Sequence, residues 1–279
     1  MMKNFHIDEV DFLVVDVETT GLSADRGDRV CEIGAIKMRG GAIIDSFGTL
    51  IDPRRPISAG AYAVNRISPE MIAQAPVFEN IVERLHELMK DSALVAYNAG
   101  FDVSFIDMEF ALAGWKRPSK IVIDALTLAR QLLPGLRRYP QEQVAQTVGI
   151  PFPVKHRAVE DAMVTAKLFT MFTTILKAHG CSTLSDLSRR DLSNILLTKR
   201  MDIVNHALTT HSRLWIKYLS PQNAEITDRV VTPKECVHEQ FERNTTTYLH
   251  AYCHSAQAER NFRVDRILDL RLIHPISTT

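Results

Sequence analysis

Short apolar runs alternate along the first 180 residues with longer segments in which apolar residues recur every three or four positions. The apolar runs predict strands over residues 12–17, 30–38, 42–51, 93–97 and 121–123. The helical spacing predicts helices over residues 78–90, 101–113, 125–133, 140–148 and 159–178. Because Arg39-Gly40-Gly41 favours a tight turn, the second and third strands should form an antiparallel hairpin. Strands followed by alternating helices and strands indicate a layered α/β domain.

The pattern changes beyond this region. Residues 181–206 are polar and helix-prone, which is typical of a linker or a bridging helix. Short apolar runs then follow at 214–219, 227–232, 246–253 and 261–264, separated by turns, and predict a small β-rich domain. We therefore expect an α/β domain over residues 1–180, a linker helix over 181–206 and a β domain over 207–279.

The composition is that of an ordinary globular protein. Of the 279 residues, 46% are hydrophobic and 24% are charged, and the formal net charge is zero. A zero net charge argues against a protein that coats nucleic acid through charge alone. The four cysteines are scattered without a C-x-x-C pair, which favours reduced thiols over a disulfide framework or a zinc site. Neither an apolar signal core nor a run of membrane-spanning length is found, so we expect a soluble cytoplasmic protein.

Two acids lie one residue apart at the end of the first predicted strand, in Asp16-Val17-Glu18. Side chains two residues apart on a strand point to the same face, so both carboxylates should lie side by side. Like charges at such a distance raise each other's pKa. The pair is either two surface acids beside a turn or half of a cation site, and this segment alone leaves both interpretations open.

Further acids lie near the starts of two predicted helices. Asp102 is in the first turn of its helix, where an acid commonly stabilises the helix dipole. Asp161 begins the long helix that ends the α/β domain and shares a face with Thr165, so it should point inward. A lone buried carboxylate is costly unless it is paired or binds a metal. His156 lies in the loop before that helix, and a loop histidine by itself indicates no function.

Convergence of these acids would require cations, because four neighbouring carboxylates do not stay ionised alone. All-oxygen ligation suits Mg²⁺ or Mn²⁺ better than Zn²⁺. Two such ions, roughly 3.5–4 Å apart, clamp the attacking and leaving oxygens of a phosphodiester. We therefore expect a site for two Mg²⁺ or Mn²⁺ ions, with ligands from Asp16, Glu18, Asp102 and Asp161.

Residues 11–178 resemble the DEDD-type 3′→5′ exonucleases, in the His-containing (DEDDh, DnaQ-like) branch typified by the proofreading subunit of bacterial DNA polymerase III. The first motif is matched by Asp16-Val-Glu-Thr-Thr-Gly-Leu22, the second by Tyr97-Asn-Ala-Gly-Phe-Asp102 and the third by His156-Arg-Ala-Val-Glu-Asp161. The segment Asn65-x-Ile-Ser-x-x-Met71 matches as well. Two positions depart from the common pattern: Tyr97 stands where many members have His, and Val159 where Leu is common.

The resemblance implies an RNase H-like fold and a role for each matched side chain. Asp16 would bridge both metals. Glu18 and Asp161 would bind the metal that carries the attacking water, and Asp102 would hold the second metal. His156 would be the general base, since the ordinary histidine pKa of about 6.5 suits that task near neutrality.

The same resemblance implies a pocket for the 3′-terminal nucleotide and a reaction that releases 5′-mononucleotides one at a time. The residues that would form or support this pocket are Thr19, Thr20, Gly21, Leu22 and Asn98. The expected substrate is single-stranded DNA or the 3′ end of a DNA strand.

Residues 207–273 resemble a WYL domain, a small β-barrel of the Sm/SH3 type that is often found in bacterial regulators. The matching segments begin at Leu214, Arg229, Tyr248 and Arg260. The name-giving triplet departs from the family, because this chain has Thr247-Tyr248-Leu249. The resemblance implies a domain that binds nucleic acid or a small effector.

Five side chains are the candidates for that binding, because guanidinium groups meet phosphates and an aromatic ring stacks a base. They are Tyr248, Arg229, Arg260, Arg263 and Arg266. The alternative is that the arginines pair with Asp228, Asp265 and Asp269 and only hold the barrel together.

Two other functions stay open from the sequence. One keeps the chemistry but changes the substrate to RNA, as in trimming or oligoribonucleotide exonucleases. The other is a ligand-sensing regulator whose first domain only binds nucleic acid. The expected setting is the cytoplasm, with activity at the nucleoid and without a membrane partner. Barrels of this kind often self-associate, which leaves a homodimer open, and no polymerase or repair partner is indicated.

Overall fold

The computed structural model describes residues 4–152, 156–220, 225–241 and 244–273. The chain divides into two units that interleave along the sequence. The first comprises Met1–Leu128, Pro140–Met171 and Thr183–Ser188, and the second comprises Ala129–Tyr139, Phe172–Ser182 and Arg189–Thr279. The three regions expected from the sequence stay a prediction.

The first unit is built on a five-stranded mixed sheet with the strand order β3-β2-β1-β4-β5. The strands are β1 (Asp11–Thr19), β2 (Val30–Arg39), β3 (Ala42–Leu50), β4 (Ser92–Ala96) and β5 (Val122–Asp124). Pairing is antiparallel from β1 to β3 and parallel from β1 through β4 to β5. The predicted hairpin of β2 and β3 is therefore confirmed.

Helices follow and separate these strands. Their bounds are α1 (Ala59–Asn65), α2 (Pro69–Ile72), α3 (Val82–Met89), α4 (Ala99–Leu112), α5 (Ala125–Leu132), α6 (Gln141–Thr147) and α7 (Ala158–Ala178). The central strand β1 shows no alternation of polar and apolar residues, because Leu13, Val14 and Val15 are all fully buried. Burial on both faces is what a central strand between helical layers requires.

The start of α7 lies directly against the sheet at two glycines. A Cβ atom at Gly34 of β2 would overlap the backbone of Ala158, and a Cβ at Gly48 of β3 would overlap the side chain of Val159. These glycines are paired across the two strands. The absence of side chains at both positions therefore lets the helix approach the sheet closely.

The second unit contains a five-stranded antiparallel sheet with the order β10-β6-β7-β8-β9. The strands are β6 (Arg213–Leu219), β7 (Ile226–Phe241), β8 (Asn244–Cys253), β9 (Ala258–Arg263) and β10 (Ile267–Ile273), preceded by α8 (Leu192–Thr209). Val204 and Ala207 of α8 share a buried cluster with Leu214, Leu249 and other apolar residues of the sheet. One helical stripe thus covers one face of the sheet.

The fold class is confirmed, with a mixed α/β domain followed by an antiparallel β domain. Several local bounds differ from the predictions, and two elements were not predicted. The predicted helix over 78–90 is a 3₁₀ turn followed by α3, and the strand predicted over 227–232 is extended to the sixteen residues of β7. Helix α1 and strand β10 were not predicted. None of the helices in the described part of the chain is both long and apolar enough to cross a bilayer.

We expect Gly34→Ala to destabilise the protein by about 1–3 kcal/mol, the usual cost of overpacking. The added methyl group meets backbone atoms of Ala158, which cannot rotate away as a side chain can. Chemical denaturation followed by circular dichroism measures this change. Gly100→Ala is the matched control, because a Cβ at Gly100 meets nothing within 4 Å. Equal stability of both variants would show that α7 does not rest on the sheet at Gly34.

Candidate active site

A cleft of about 670 Å³ opens in the first unit where β1 ends. It is lined by side chains from β1, from the loop that follows β1, from α1 and from the starts of α4 and α7. The five predicted catalytic residues all line it, namely Asp16, Glu18, Asp102, His156 and Asp161. The structure thus brings together side chains that lie up to 145 residues apart, between positions 16 and 161.

Three of these side chains form a compact group. Potential ligand atoms of Glu18, His156 and Asp161 all lie within 4.8 Å of one another. Glu18 stands at the end of β1 just before a bulge, and Asp161 is in the first turn of α7. His156 is exposed and precedes α7 with a left-handed backbone, φ 58°. Bulges and left-handed residues commonly re-aim side chains at functional sites.

The other two acids are coupled to this group. Asp102 is buried, and its Oδ1 accepts a hydrogen bond of 3.0 Å from the backbone N–H of Val17. That contact attaches the first turn of α4 to β1 between the two acids of the first motif. Asp16 interacts electrostatically with Asp102, Asp161 and Glu18.

Burial disfavours ionisation of all four carboxylates, and repulsion from neighbouring acids adds to it. The pKa of Asp16 is raised well above its usual range, first by burial and then by Asp102 and Asp161. Burial followed by the charge of Asp161 raises the pKa of Glu18 to about 8. Burial is also the main cause that raises the pKa of Asp102 to about 7 and that of Asp161 to about 6.

A divalent cation fits these residues. Oδ1 of Asp161 is buried and has no hydrogen-bond partner among the described residues. Buried carboxylate oxygens without partners are costly, and a bound cation removes that cost. The four carboxylates form an all-oxygen donor set, which suits a hard ion such as Mg²⁺ or Mn²⁺.

Two supporting amides were not singled out as site residues from the sequence. Nδ2 of Asn65 donates to the backbone carbonyl of Thr19 over 3.3 Å, and its side chain also hydrogen-bonds Glu18. Nε2 of Gln141 donates to the backbone carbonyl of Asp161 over 2.8 Å and to Oγ1 of Thr165 over 2.7 Å. Both amides therefore hold the backbone next to an acid of the site.

Two buried carboxylates outside the predicted set form ion pairs with residues next to the elements that surround the cleft. Glu109, seven residues after Asp102 on the same face of α4, forms a two-point ion pair with Arg29 at 2.8 and 2.6 Å. It also accepts from the backbone N–H of Val30 over 3.0 Å. Glu32 of β2 is likewise buried and binds Arg157. A charged residue within an apolar strand or stripe was the signal available for both.

The loop after β1 forms one wall of the cleft. Thr19, Gly21 and Leu22 line it, and the Leu22 side chain is 88% exposed. A Cβ at Gly21 would overlap the carboxylate of Asp28, so a larger residue there would displace that side chain. That carboxylate accepts from the backbone N–H of Ser23 over 3.1 Å and fixes the turn.

Two residues predicted for the nucleotide pocket lie elsewhere. Thr20 is fully buried outside the cleft lining, and its Oγ1 accepts from the backbone N–H of Arg29 over 3.0 Å. Asn98 is exposed outside the lining, and its left-handed backbone starts α4 while its N–H donates to Oδ1 of Asp124. These placements favour roles in shaping the loop and the helix start over contact with a nucleotide.

The candidate residues of the β domain differ in availability. Arg260 is exposed on β9, whereas Arg263 forms a two-point ion pair with Asp265 and lies opposite Tyr248. Arg229 contacts Thr227 and Cys253. Arg266 is only 7% exposed and donates to the backbone carbonyl of Gly135. Its burial argues against the predicted contact with a ligand.

Comparison with known proteins identifies both parts of the chain. The exonuclease family RNase_T matches residues 13–169, and the WYL domain family matches residues 199–272. DNA polymerase III PolC-type of Caldanaerobacter subterraneus subsp. tengcongensis is 34% identical over 195 residues, which are 70% of this chain and 13% of that protein. DNA polymerase III subunit epsilon of Treponema pallidum is 38% identical over 175 residues, covering 62% of this chain and 80% of that protein.

A solved structure shares the fold. Exonuclease I of E. coli in complex with a dT13 oligonucleotide superimposes with a TM-score of 0.55 at 17% identity, over 87% of this chain and 55% of that chain. The chain spans only 13% of the length of the PolC-type relative. With the family match over residues 13–169 and the cluster of acids in the cleft, the chain belongs to the RNase_T exonuclease family and carries a WYL domain over residues 199–272.

Proposed function

We propose that the protein is a divalent-metal-dependent 3′→5′ exonuclease that shortens single-stranded DNA and releases 5′-mononucleotides. The observation that carries this proposal is the group of Glu18, His156 and Asp161, with ligand atoms within 4.8 Å of one another in an open cleft. Buried acids coupled in this way, beside an exposed histidine, suit metal-assisted hydrolysis of a phosphodiester.

Asp16, Glu18, Asp102 and Asp161 would hold two Mg²⁺ or Mn²⁺ ions, in keeping with the general dependence of this family on divalent metals. When bound, such ions supply activation of water and stabilisation of the charge on the phosphate. His156 accepts the proton of the attacking water on its ring nitrogen, since it is the exposed base of the group. The hydrogen bond from Val17 orients Asp102 for its share of the site.

The terminal nucleotide would bind in the cleft against Thr19, Gly21 and Leu22. The exposed Leu22 offers an apolar surface on which a base can rest, and Arg26 at the same cleft offers a charge to a phosphate. We favour DNA over RNA because the named relatives are DNA polymerase subunits. The WYL domain would bind nucleic acid or an effector, with Arg260 as its most accessible cation among the four candidates.

A degradation assay tests the reaction and its polarity. With Mg²⁺ or Mn²⁺, single-stranded DNA labelled at its 5′ end should shorten stepwise, and chromatography should show 5′-mononucleotides. Asp16→Ala should reduce the rate to background, and His156→Ala should slow it by about 10²–10³-fold, as expected for loss of a general base. Asp25→Ala, an exposed acid, is the control.

Other outcomes of this assay are equally informative. Early loss of the 5′ label would contradict the polarity, and an unchanged rate for His156→Ala would contradict the base assignment. Faster degradation of a matched RNA strand would move the substrate to RNA. Tight binding without any release of nucleotides would favour a regulator over an enzyme.

Metal binding should change the thermal stability of the protein, measured as its Tm. In chelator at pH 8, Asp16→Asn should raise the Tm by roughly 2–4 °C, the shift expected for about 1 kcal/mol in a domain of this size. Because burial and neighbouring acids raise the folded-state pKa of Asp16, wild-type stability without metal is lost as pH rises from about 4 through that pKa. The variant should lose less over this range.

Added Mg²⁺ should then raise the Tm of the wild type more than that of Asp16→Asn, since the ion binds the folded state only. Asp25→Asn should behave as the wild type in both conditions, because Asp25 is exposed. A lower Tm of Asp16→Asn in chelator would show that the acid is satisfied without a metal.

Binding by the β domain can be measured in the intact protein. In chelator, Arg260→Ala should weaken binding of labelled single-stranded DNA severalfold and lower the slope of log affinity against log salt by roughly one phosphate contact. Arg213→Ala is the matched control, because Arg213 is also exposed but lies on β6. Equal effects of the two substitutions would mean that Arg260 contributes only to the overall charge.

A further inference from the structure

The strand beside the candidate metal ligands carries its own short pattern. In the register of β1 with β2, Asp16 lies opposite Gly34 and Glu18 lies opposite Glu32. Residues 32 and 34 share a face of β2 because side chains alternate along a strand. Both of them contact the start of α7, the helix that supplies Asp161.

Glu32 uses both of its carboxylate oxygens on that helix start. Oε1 accepts a hydrogen bond of 2.6 Å from Nη2 of Arg157, and Oε2 accepts one of 3.2 Å from the backbone N–H of Ala158. Glu32 itself is only 4% exposed. The ion pair therefore joins residues 125 positions apart and restrains the residue directly after His156.

The charged form of Glu32 is energetically unfavourable at this position. Its charge adds to the repulsion felt by Asp16, Glu18 and Asp161. Burial raises the pKa of Glu32 itself, while Ala158 and Arg157 oppose the rise. An apolar residue would pack at this position without adding charge beside four acids. An apolar residue could not form the hydrogen bonds that Glu32 accepts from Arg157 and Ala158.

We propose that Glu32 is a positioning residue, which acts through Arg157 and Ala158 to hold His156 and Asp161 against the acids of β1. This inference rests on the proposed nuclease function. The left-handed backbone of His156 is unfavourable for a side chain with a Cβ atom, so it persists only where neighbouring contacts hold it. The glycine at position 34 sets how closely the helix approaches, and Glu32 keeps its first residues in place.

The test uses Glu32→Gln, Arg157→Gln and the double variant in the full chain. Glutamine keeps the shape of Glu32 and can still accept from Ala158, but it loses the ion pair. With a short single-stranded substrate at saturating Mg²⁺, each single variant should lower kcat by about 10–100-fold, since small misplacements of reacting groups have effects of this size. KM should stay within about twofold of the wild type, because a positioning defect acts on the reacting groups and not on substrate binding.

Non-additivity links the two residues. The double variant should be no slower than the slower single variant, because both substitutions break one contact. Arg84→Gln is the matched control, since it removes an ion pair of 2.7 Å with Asp45, and neither residue lines the cleft. Multiplying effects in the double variant, or a raised KM with unchanged kcat, would overturn the proposal.

Hydrogen exchange gives a readout that does not depend on activity. Amides of residues 157–161 should exchange faster in Glu32→Gln and Arg157→Gln than in the wild type, whereas amides outside the start of α7 should change little. Unchanged exchange in this segment would overturn the proposal whether or not the wild type cleaves nucleic acid. A wild type without nuclease activity would overturn the proposed function. Faster exchange in the variants of such an inactive protein would show that Glu32 holds the helix start without a role in catalysis, and this result would overturn the positioning proposal as well.

Discussion

Repulsion among four carboxylates, three of them buried, is the constraint on which the first unit depends. Asp16, Glu18, Asp102 and Asp161 come from one strand and two helices, and each has a raised pKa in the shared cleft. Left to themselves, these elements would move apart until water screened the charges. The chain must therefore hold each element in place through other contacts, and a cation can then bind without rearranging the fold.

Three different restraints meet this need. Helix α4 is tied to β1 by the hydrogen bond from Val17 to Asp102. Farther along, the two-point ion pair between Glu109 and Arg29 ties the same helix to the residue before β2. Helix α7 is set against the sheet by the glycine pair of β2 and β3. Breaking a buried ion pair is strongly destabilising because it leaves one charge uncompensated. The position of Asp102 is thus protected by an interaction two helical turns away.

The sequence predicted what depends on local pattern and failed where partners are distant. Strand β1 and the helix starts at Asp102 and Asp161 follow from apolar periodicity and from acids in first turns. The apolar residues around Glu32 and Glu109 indicate burial, but the sequence does not indicate their arginine partners, which lie 125 and 80 residues away. The family resemblance implies a place for Thr20 in the nucleotide pocket, whereas its hydroxyl accepts a hydrogen bond from the backbone N–H of Arg29. Residues that are adjacent in a motif lie in one loop, but their side chains point in different directions.

The β domain shows that the number of arginines does not measure the capacity to bind phosphate. Arg200 is 2% exposed, donates to Nε2 of His179 and to the backbone carbonyl of Asp265, and keeps one buried nitrogen without a partner among the described residues. Burial and this neighbouring cation lower the pKa of His179 to about 4, so the ring stays neutral and can accept from Arg200. These groups connect the end of α7 with α8 inside the second unit and are closed to a ligand. A guanidinium can bind a phosphate only where it is exposed and not already paired. Arg260 on β9 is exposed, whereas Arg263 is paired with Asp265 and Arg266 is buried, although all three lie within a segment of seven residues. Any phosphate contact of this domain must therefore come from exposed positions such as Arg260 on β9, and not from the buried or paired arginines.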